Sequence, residues 1–482
     1  MKQSLSLLAI LLAACGGSGA SGDGASGATD AAVAPDAATP DAAAPTPDAA
    51  APAPDAAAQP DAAVVADAAE PAADAAPPRY PCTSDAPPMV MAHGFLASGD
   101  TWASQVRRFA ANGECPDRFY AFDWDTLNRQ VDHAAELDLF IDGVLAVEGA
   151  TQVDLMGHSA GGGLGATYLT DPARAAKVAH YVHVAGGVLD AAPAVPTLNV
   201  YSDGDTVVPG GEIPGTTAAH LVEQDHYAVA TCEATFTALW HFLRTGEPTT
   251  TSTVFVPVAG DAHRVGGRVL VLGDNTVDVG STVQIFEVAA DTGMRTAEAP
   301  VARYDIAADG AWGPFDARDG QRYELRVDSP RPGAKPVRYY HAPFKGDDAL
   351  VYLRTLPTTG LPGALLGQIP FTDAGSVVVI FLSQQAMLAG RDSLLLDGEE
   401  IATAEIASPA DTTIALFLYD AGSDGLPGGS VAAFGGFPFL AGLDRVLPAD
   451  AAASLPITFN GTSLPVPRWP SATEGASVVV FE

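Results

Sequence analysis

Apolar residues gather in short, nearly unbroken runs between residues 86 and 245: Pro88–Ala92, Tyr120–Trp124, Val153–Met156, Val178–Val184 and Val195–Tyr201. Runs of four to seven residues without polar alternation predict strands buried on both faces, as in a sheet covered by helices. A small-residue helix start follows at Ala160–Gly163, and a helical stretch runs through Trp240–Leu243. Beyond about Thr250 the texture changes to β-branched runs separated by Gly, Pro and Asp turns, among them Arg268–Leu272, Thr282–Phe286 and Tyr323–Val327. That spacing predicts a β-sandwich. Val377–Leu382 and Thr413–Leu418 are apolar enough for burial on both faces and predict a second sandwich or a barrel.

The first group of strands carries the chemistry. Gly157-His158-Ser159-Ala160-Gly161 joins the Val153–Met156 strand to the helix start and makes Ser159 a candidate nucleophile. A serine hydroxyl is weak at neutral pH, so it must be held exposed beside a base, and a Gly-x-Ser-x-Gly elbow does this through a strained strand-to-helix turn. The Val195–Tyr201 strand runs into Ser202-Asp203-Gly204-Asp205, which places carboxylates at a strand's C-terminal end. A short strand at Ala219–Val222 then leads to His226. Ser159, Asp205 and His226 form the expected set, with Asp203 the main rival for the acid and Asp190 a weaker one. Asp225 reads as a solvated neighbour. His93, His180, His183 and His220 read as packed residues.

Residues 86–245 resemble a compact α/β-hydrolase of the lidless Bacillus lipase type. Four segments carry the resemblance: the Val90-Met91-Ala92-His93-Gly94 strand end, the Tyr120–Trp124 strand, the elbow, and the Tyr201–Asp205 loop. In that family the acid lies three residues after the loop serine and the histidine about twenty further on, which match Asp205 and His226. The resemblance implies a triad in the order serine, acid, histidine, with an oxyanion hole from the N–H groups of Phe95 and Ala160. It implies no metal or organic cofactor. It also makes the strands after Cys82 and Cys115 parallel neighbours, which brings those cysteines to one sheet edge as a candidate disulfide. Cys232 is left as a buried thiol. Little chain separates Ser159 from Asp205, so no large lid is expected there, and the β domains are the available source of walls for an acyl chain.

The N-terminus bears on location. Lys2 and the apolar run Leu5–Leu12, too short for a membrane span, precede Leu12-Ala13-Ala14-Cys15-Gly16. This resembles a bacterial lipobox, in which Cys15 becomes an acylated N-terminus that anchors an exported protein to the membrane. Pro-Asp-Ala-Ala units recur from Pro35 to Pro60, and no segment there can build a core. The formal net charge of −34 argues against nucleic acid as a partner, and none is expected.

The expected organisation is a signal peptide at 1–14, a disordered tether at 15–80, an α/β-hydrolase domain at 81–248, a prealbumin-like sandwich at 251–342 and a β domain at 343–482. The β-rich part is similar to the C-terminal region of archaeal lipases. Asp420–Gly425 looks like a calcium loop but lacks the downstream acidic ligand, so a turn is expected. The expected activity is ester hydrolysis, on acylglycerols or on simple esters or aliphatic polyesters. An adhesion lipoprotein with a degenerate hydrolase domain is the alternative outside enzymes.

Overall fold

Side-chain alternation along six parallel strands builds the first core. They are β1 (Met89–Ala92), β2 (Phe119–Phe122), β3 (Val153–His158), β4 (Val178–Val184), β5 (Thr197–Ser202) and β6 (Thr217–Leu221), in the order β2-β1-β3-β4-β5-β6. Met89 and Met91 face one side, with Met156 and Val182, and meet α1 (Ala103–Ala111) through Val106 and Phe109. Val90 and Ala92 face the other side, with Leu155 and Tyr181, and meet α2 (His133–Glu148) and α3 (Ala160–Tyr168). The helix α4 (Glu233–Leu243) closes the first face with Phe236, Leu239 and Trp240. The apolar stripe of α2, Ala134, Leu137, Ile141 and Val144, has helical spacing. Asp132 caps the start of α2 by accepting from Ala135 N, and Gly149, at φ 61°, ends it. This is the doubly wound α/β-hydrolase architecture that the sequence predicts.

The computed structural model describes residues 84–254, 262–410, 412–437 and 439–482, all in one compact unit. The expected signal peptide, the tether, Cys15 and Cys82 lie outside the described residues. The Cys82–Cys115 pairing therefore remains an expectation, while Cys232 is free. Cys232 is half-buried at the start of α4, not fully buried inside a helix as expected.

The β region is built around one eight-stranded sheet. Its order is Leu440–Asp444, Ala415–Tyr419, Val377–Leu382, Ala476–Phe481, Val337–His341, Arg322–Asp328, Thr282–Val288 and Ala302–Asp305. Val377, Val379, Val478, Val480 and Phe417 face one core, and Val378, Ile380, Val479, Phe481 and Leu418 face the other. The first core is closed by a three-stranded sheet of Ala311–Arg318, Ala262–Val271 and Leu353–Thr355. Val337–His341 pairs in parallel with Ala476–Phe481, so the sheet runs without a break through the boundary expected at 342/343. Leu353–Thr355, from beyond that boundary, completes the first sandwich by pairing with Ala262–Val271.

Candidate active site

The elbow is tight because three backbones meet in it. Ser159 sits at φ 55° and ψ −120° between β3 and α3. A side chain on Gly157 would place its Cβ 2.2 Å from the carbonyl oxygen of Gly161, and one on Gly161 would lie 2.4 Å from that of Ala92. Both contacts are too close for any Cβ, so glycine is required at these two positions. Gly163 has open space around it and plays no such part.

Strand ends bring the partners in. β5 ends at Ser202 and β6 at Leu221, so Asp205 and His226 emerge on loops at the same C-terminal sheet edge as Ser159. His226 Nδ1 donates to Asp205 Oδ2 at 2.7 Å, which fixes the tautomer and leaves Nε2 to accept from Ser159 Oγ at 2.9 Å. Asp205 Oδ1 accepts from the N–H groups of Val207 and Val208, each at 2.9 Å. All three side chains are buried.

The loop after β1 passes over the elbow. A Cβ on Gly94 would come within 3.1 Å of Ser159 Cβ, and Phe95 is the next residue. Phe95 thus follows directly on the residue that packs against Ser159, and Ala160 opens α3 directly after it.

The rival residues are placed elsewhere. Asp203 is exposed and pairs with His220 at 2.9 Å, and His220 stacks on Tyr201 in an exposed position, not the packed one expected. Asp190 is also exposed. Asp225 is not solvated: it accepts from the N–H groups of Tyr227, Ala228 and, across to the β region, Ala386 at 3.1 Å. His180 bonds Asp154, and His183 bonds Tyr181 and Gly187. The Asp420 carboxylate accepts from the N–H groups of Asp424 and Gly425, which makes the suspected calcium loop a self-satisfied turn.

Three residues near the site escaped the sequence reading. His158 Nε2 donates to the carbonyl oxygen of His226 at 2.8 Å, so the elbow itself holds the histidine loop. Burial, with His226 beside it, drives the His158 pKa down to about 3, which keeps it neutral. Phe439, from the β region, stacks on the His226 ring with centroids 5.9 Å apart and planes at 17°. The site is therefore covered, by the β region and not by an insertion in the hydrolase domain.

Asn275 is the third. It reaches from the β region into the loop after β1, where its Oδ1 accepts from Ser98 Oγ at 2.6 Å. Its Nδ2 donates to Ala97 O at 2.7 Å and Trp124 O at 3.1 Å and lies 3.2 Å from His93 Nε2, which accepts from Trp124 N. His93 Nδ1 in turn donates to Gly94 O at 2.8 Å, and burial holds the ring neutral by lowering its pKa. Asn275 occupies φ 56°, a turn conformation that asparagine tolerates, and this turn preference is the sole trace of it in the sequence.

A cavity of about 150 Å³ opens beside the site between the two regions. Phe95, Tyr227 and Phe439 line it at the Ser159–His226 end, while Val337, Val379 and Val480 line it from the β region. A smaller apolar cavity shares Leu96, Leu272, Phe417 and Leu440 with it. The helix α5 (Gly360–Leu366) covers this second space through Leu361, Pro362, Leu365 and Leu366.

Residues 261–357 match the family model of the lipase C-terminal domain, and residues 381–482 match a second model described as a C-terminal domain. Among solved structures, the chain is similar to lipase B of Aspergillus fumigatus at 14% identity and a TM-score of 0.29, covering 34% of this chain and 54% of that one. It is similar to a Bacillus subtilis carboxylesterase at 13% identity and a TM-score of 0.27, covering 34% and 85%. It is also similar to an α/β serine hydrolase without lid from Xanthomonas campestris at 15% identity and a TM-score of 0.26, covering 35% and 88%. The chain thus spans about half the length of the Aspergillus lipase. The parallel sheet and the serine elbow between β3 and α3 give the first region an α/β-hydrolase fold, and residues 261–357 are similar to a lipase C-terminal domain.

Proposed function

We propose that the chain is a serine ester hydrolase, a lipase that cleaves acylglycerol esters through an acyl-enzyme on Ser159. The observation that carries this reading is the hydrogen-bonded line from Ser159 Oγ through His226 to Asp205, at 2.9 and 2.7 Å. In the proposed cycle His226 takes the Ser159 proton as Oγ attacks the ester carbonyl, and Asp205 stabilises the imidazolium. The N–H groups of Phe95 and Ala160 hold the developing oxyanion. The imidazolium then protonates the leaving alcohol. Water, deprotonated by His226, cleaves the acyl-enzyme, and Ser159 recovers its proton.

The apolar cavity favours a lipase over an esterase for short acids, because each buried methylene contributes about 0.8 kcal/mol. The rival is a carboxylesterase or polyester depolymerase with the same machinery. A fluorophosphonate probe should label the wild type and not Ser159→Ala, whereas absence of labelling in a folded wild type favours a non-catalytic adhesion protein. A chain-length series of p-nitrophenyl esters beside a triglyceride emulsion separates lipase from esterase. We further propose export and anchoring through lipid on Cys15, on the strength of the sequence around it.

A further inference from the structure

The cavity wall is apolar except for a few groups that are nearly all satisfied within the protein. Arg107 donates to Glu482 at 2.9 Å, Tyr352 to Asp123 at 2.9 Å, and Tyr339 to the carbonyl of Arg354 at 2.7 Å. Ser383 donates to Phe481 O at 3.1 Å. Two buried nitrogens of the wall have no hydrogen-bond partner among the described residues: Arg107 Nε, which faces the Asp348 carboxylate at 3.9 Å as an ion pair, and His341 Nε2, whose ring stacks with those of Tyr339 and Phe344 at centroid distances of 6.4 and 5.6 Å.

Burial lowers the His341 pKa to about 4, with Glu482 pulling it up and Arg107 pushing it down, so the imidazole is neutral at pH 7. A neutral imidazole offers one N–H and one lone pair. A plain hydrocarbon chain in the cavity leaves Nε2 without a partner, whichever of the two it carries, and an unpaired buried polar group weakens binding by about tenfold to a hundredfold. A hydroxyl can donate and accept, so it matches this group in either sense. A carboxylate is disfavoured because Glu482 and Asp348 line the same cavity and Arg107 is already paired.

We propose that the cavity takes an acyl chain bearing a hydroxyl group distant from the ester carbonyl, with His341 as the residue that selects it. This rests on the ester hydrolase reading above. The test uses the full chain and matched p-nitrophenyl esters of alkanoates and ω-hydroxyalkanoates over a range of lengths. At one length the hydroxyacyl ester should exceed its plain partner in kcat/KM by about tenfold. That ratio should collapse in His341→Phe and survive in part in His341→Gln, which keeps a donor and an acceptor. Hydroxyacyl glycerides and hydroxyalkanoate oligomers carry the same group, and the faster of the two under equal ester concentration names the source. A wild type that prefers the plain partner at every length, as it would if His341 held only a water molecule, overturns the proposal and leaves ester hydrolysis standing. Inactivity on all the esters, with no fluorophosphonate labelling, sinks both readings.

Discussion

Asn275→Gly should slow catalysis although residue 275 lies outside the hydrolase domain. Glycine accepts the φ of 56°, so the substitution removes the amide without straining the turn. Ser98 Oγ, Ala97 O and Trp124 O each lose a partner. At about 1 kcal/mol per neutral hydrogen bond, three losses give about 3 kcal/mol, and water entering the vacated space brings this to about 2. The kinetic effect comes from the loop that these bonds hold, because Phe95, the proposed oxyanion donor, lies within it and a full oxyanion donor is worth about a hundredfold to a thousandfold in kcat. A displaced donor should cost less than a removed one, so kcat on a short p-nitrophenyl ester should fall by about 30- to 100-fold with KM nearly unchanged. Asn275→Asp keeps the acceptor for Ser98 but supplies no donor, and should also be slow. Steady-state kinetics beside urea unfolding decide the matter: a variant that loses stability yet keeps wild-type kcat would reduce Asn275 to a structural tie.

The remaining tests bear on the triad, the buried histidines, the anchor and the β region. Asp205→Ala should reduce kcat by orders of magnitude and Asp203→Ala barely, since Asp203 pairs with exposed His220; the reverse ranking in initial rates transfers the acid role. Stability should drop by about 4 kcal/mol between pH 7 and 5 from His158 and His341 together, because folded pKa values of about 3 and 4 lie below the unfolded value of 6.5. For a lowered histidine the stabilisation is complete above pH 6.5 and is lost toward the folded pKa, so urea midpoints that do not change over this range contradict the assignment. Cys15→Ser should abolish both labelling by a palmitate analogue and membrane association, and association of an unlabelled variant points to another anchor. Deleting residues 251–482 should impair short and long esters alike, since Asn275 and Phe439 are removed with the cavity wall; a folded truncation fully active on a short ester refutes that.

The hydrolase half was legible because its determinants are local. The buried strands read as uninterrupted apolar runs, and the two-residue alternation of Met89 and Met91 against Val90 and Ala92 divides them between two cores. The elbow declared itself through glycines at the two positions where any Cβ would strike backbone. The choice of Asp205 over Asp203 was less visible, since both follow the same strand. What separates them is a turn in which Asp205 caps the N–H groups of Val207 and Val208 and thereby faces His226. Periodicity carries no information about such a turn. Asp225 was misread for the same reason: its acceptor capacity is taken up by Tyr227 and Ala228 nearby and by Ala386, which is distant in sequence.

The contribution of the β region was hidden by a different cause. Strand propensity reports that Arg268–Leu272 is a strand, but a side chain that reaches out of the following turn into another domain leaves no periodic mark. Asn275 looks like any turn asparagine, and Phe439 like any apolar residue between glycines and a strand. Their importance comes from docking. Asp123 shows how firm that docking is, since it is almost fully buried while it accepts from Gly99 N in its own domain and from Arg268 and Tyr352 in the β region. A buried carboxylate that depends on partners from two regions penalises their separation, because the charge would lose both partners at once. The hydrolase sheet supplies the reacting groups, whereas the loop beside Ser159, the cover on His226 and most of the cavity wall depend on residues more than a hundred positions away.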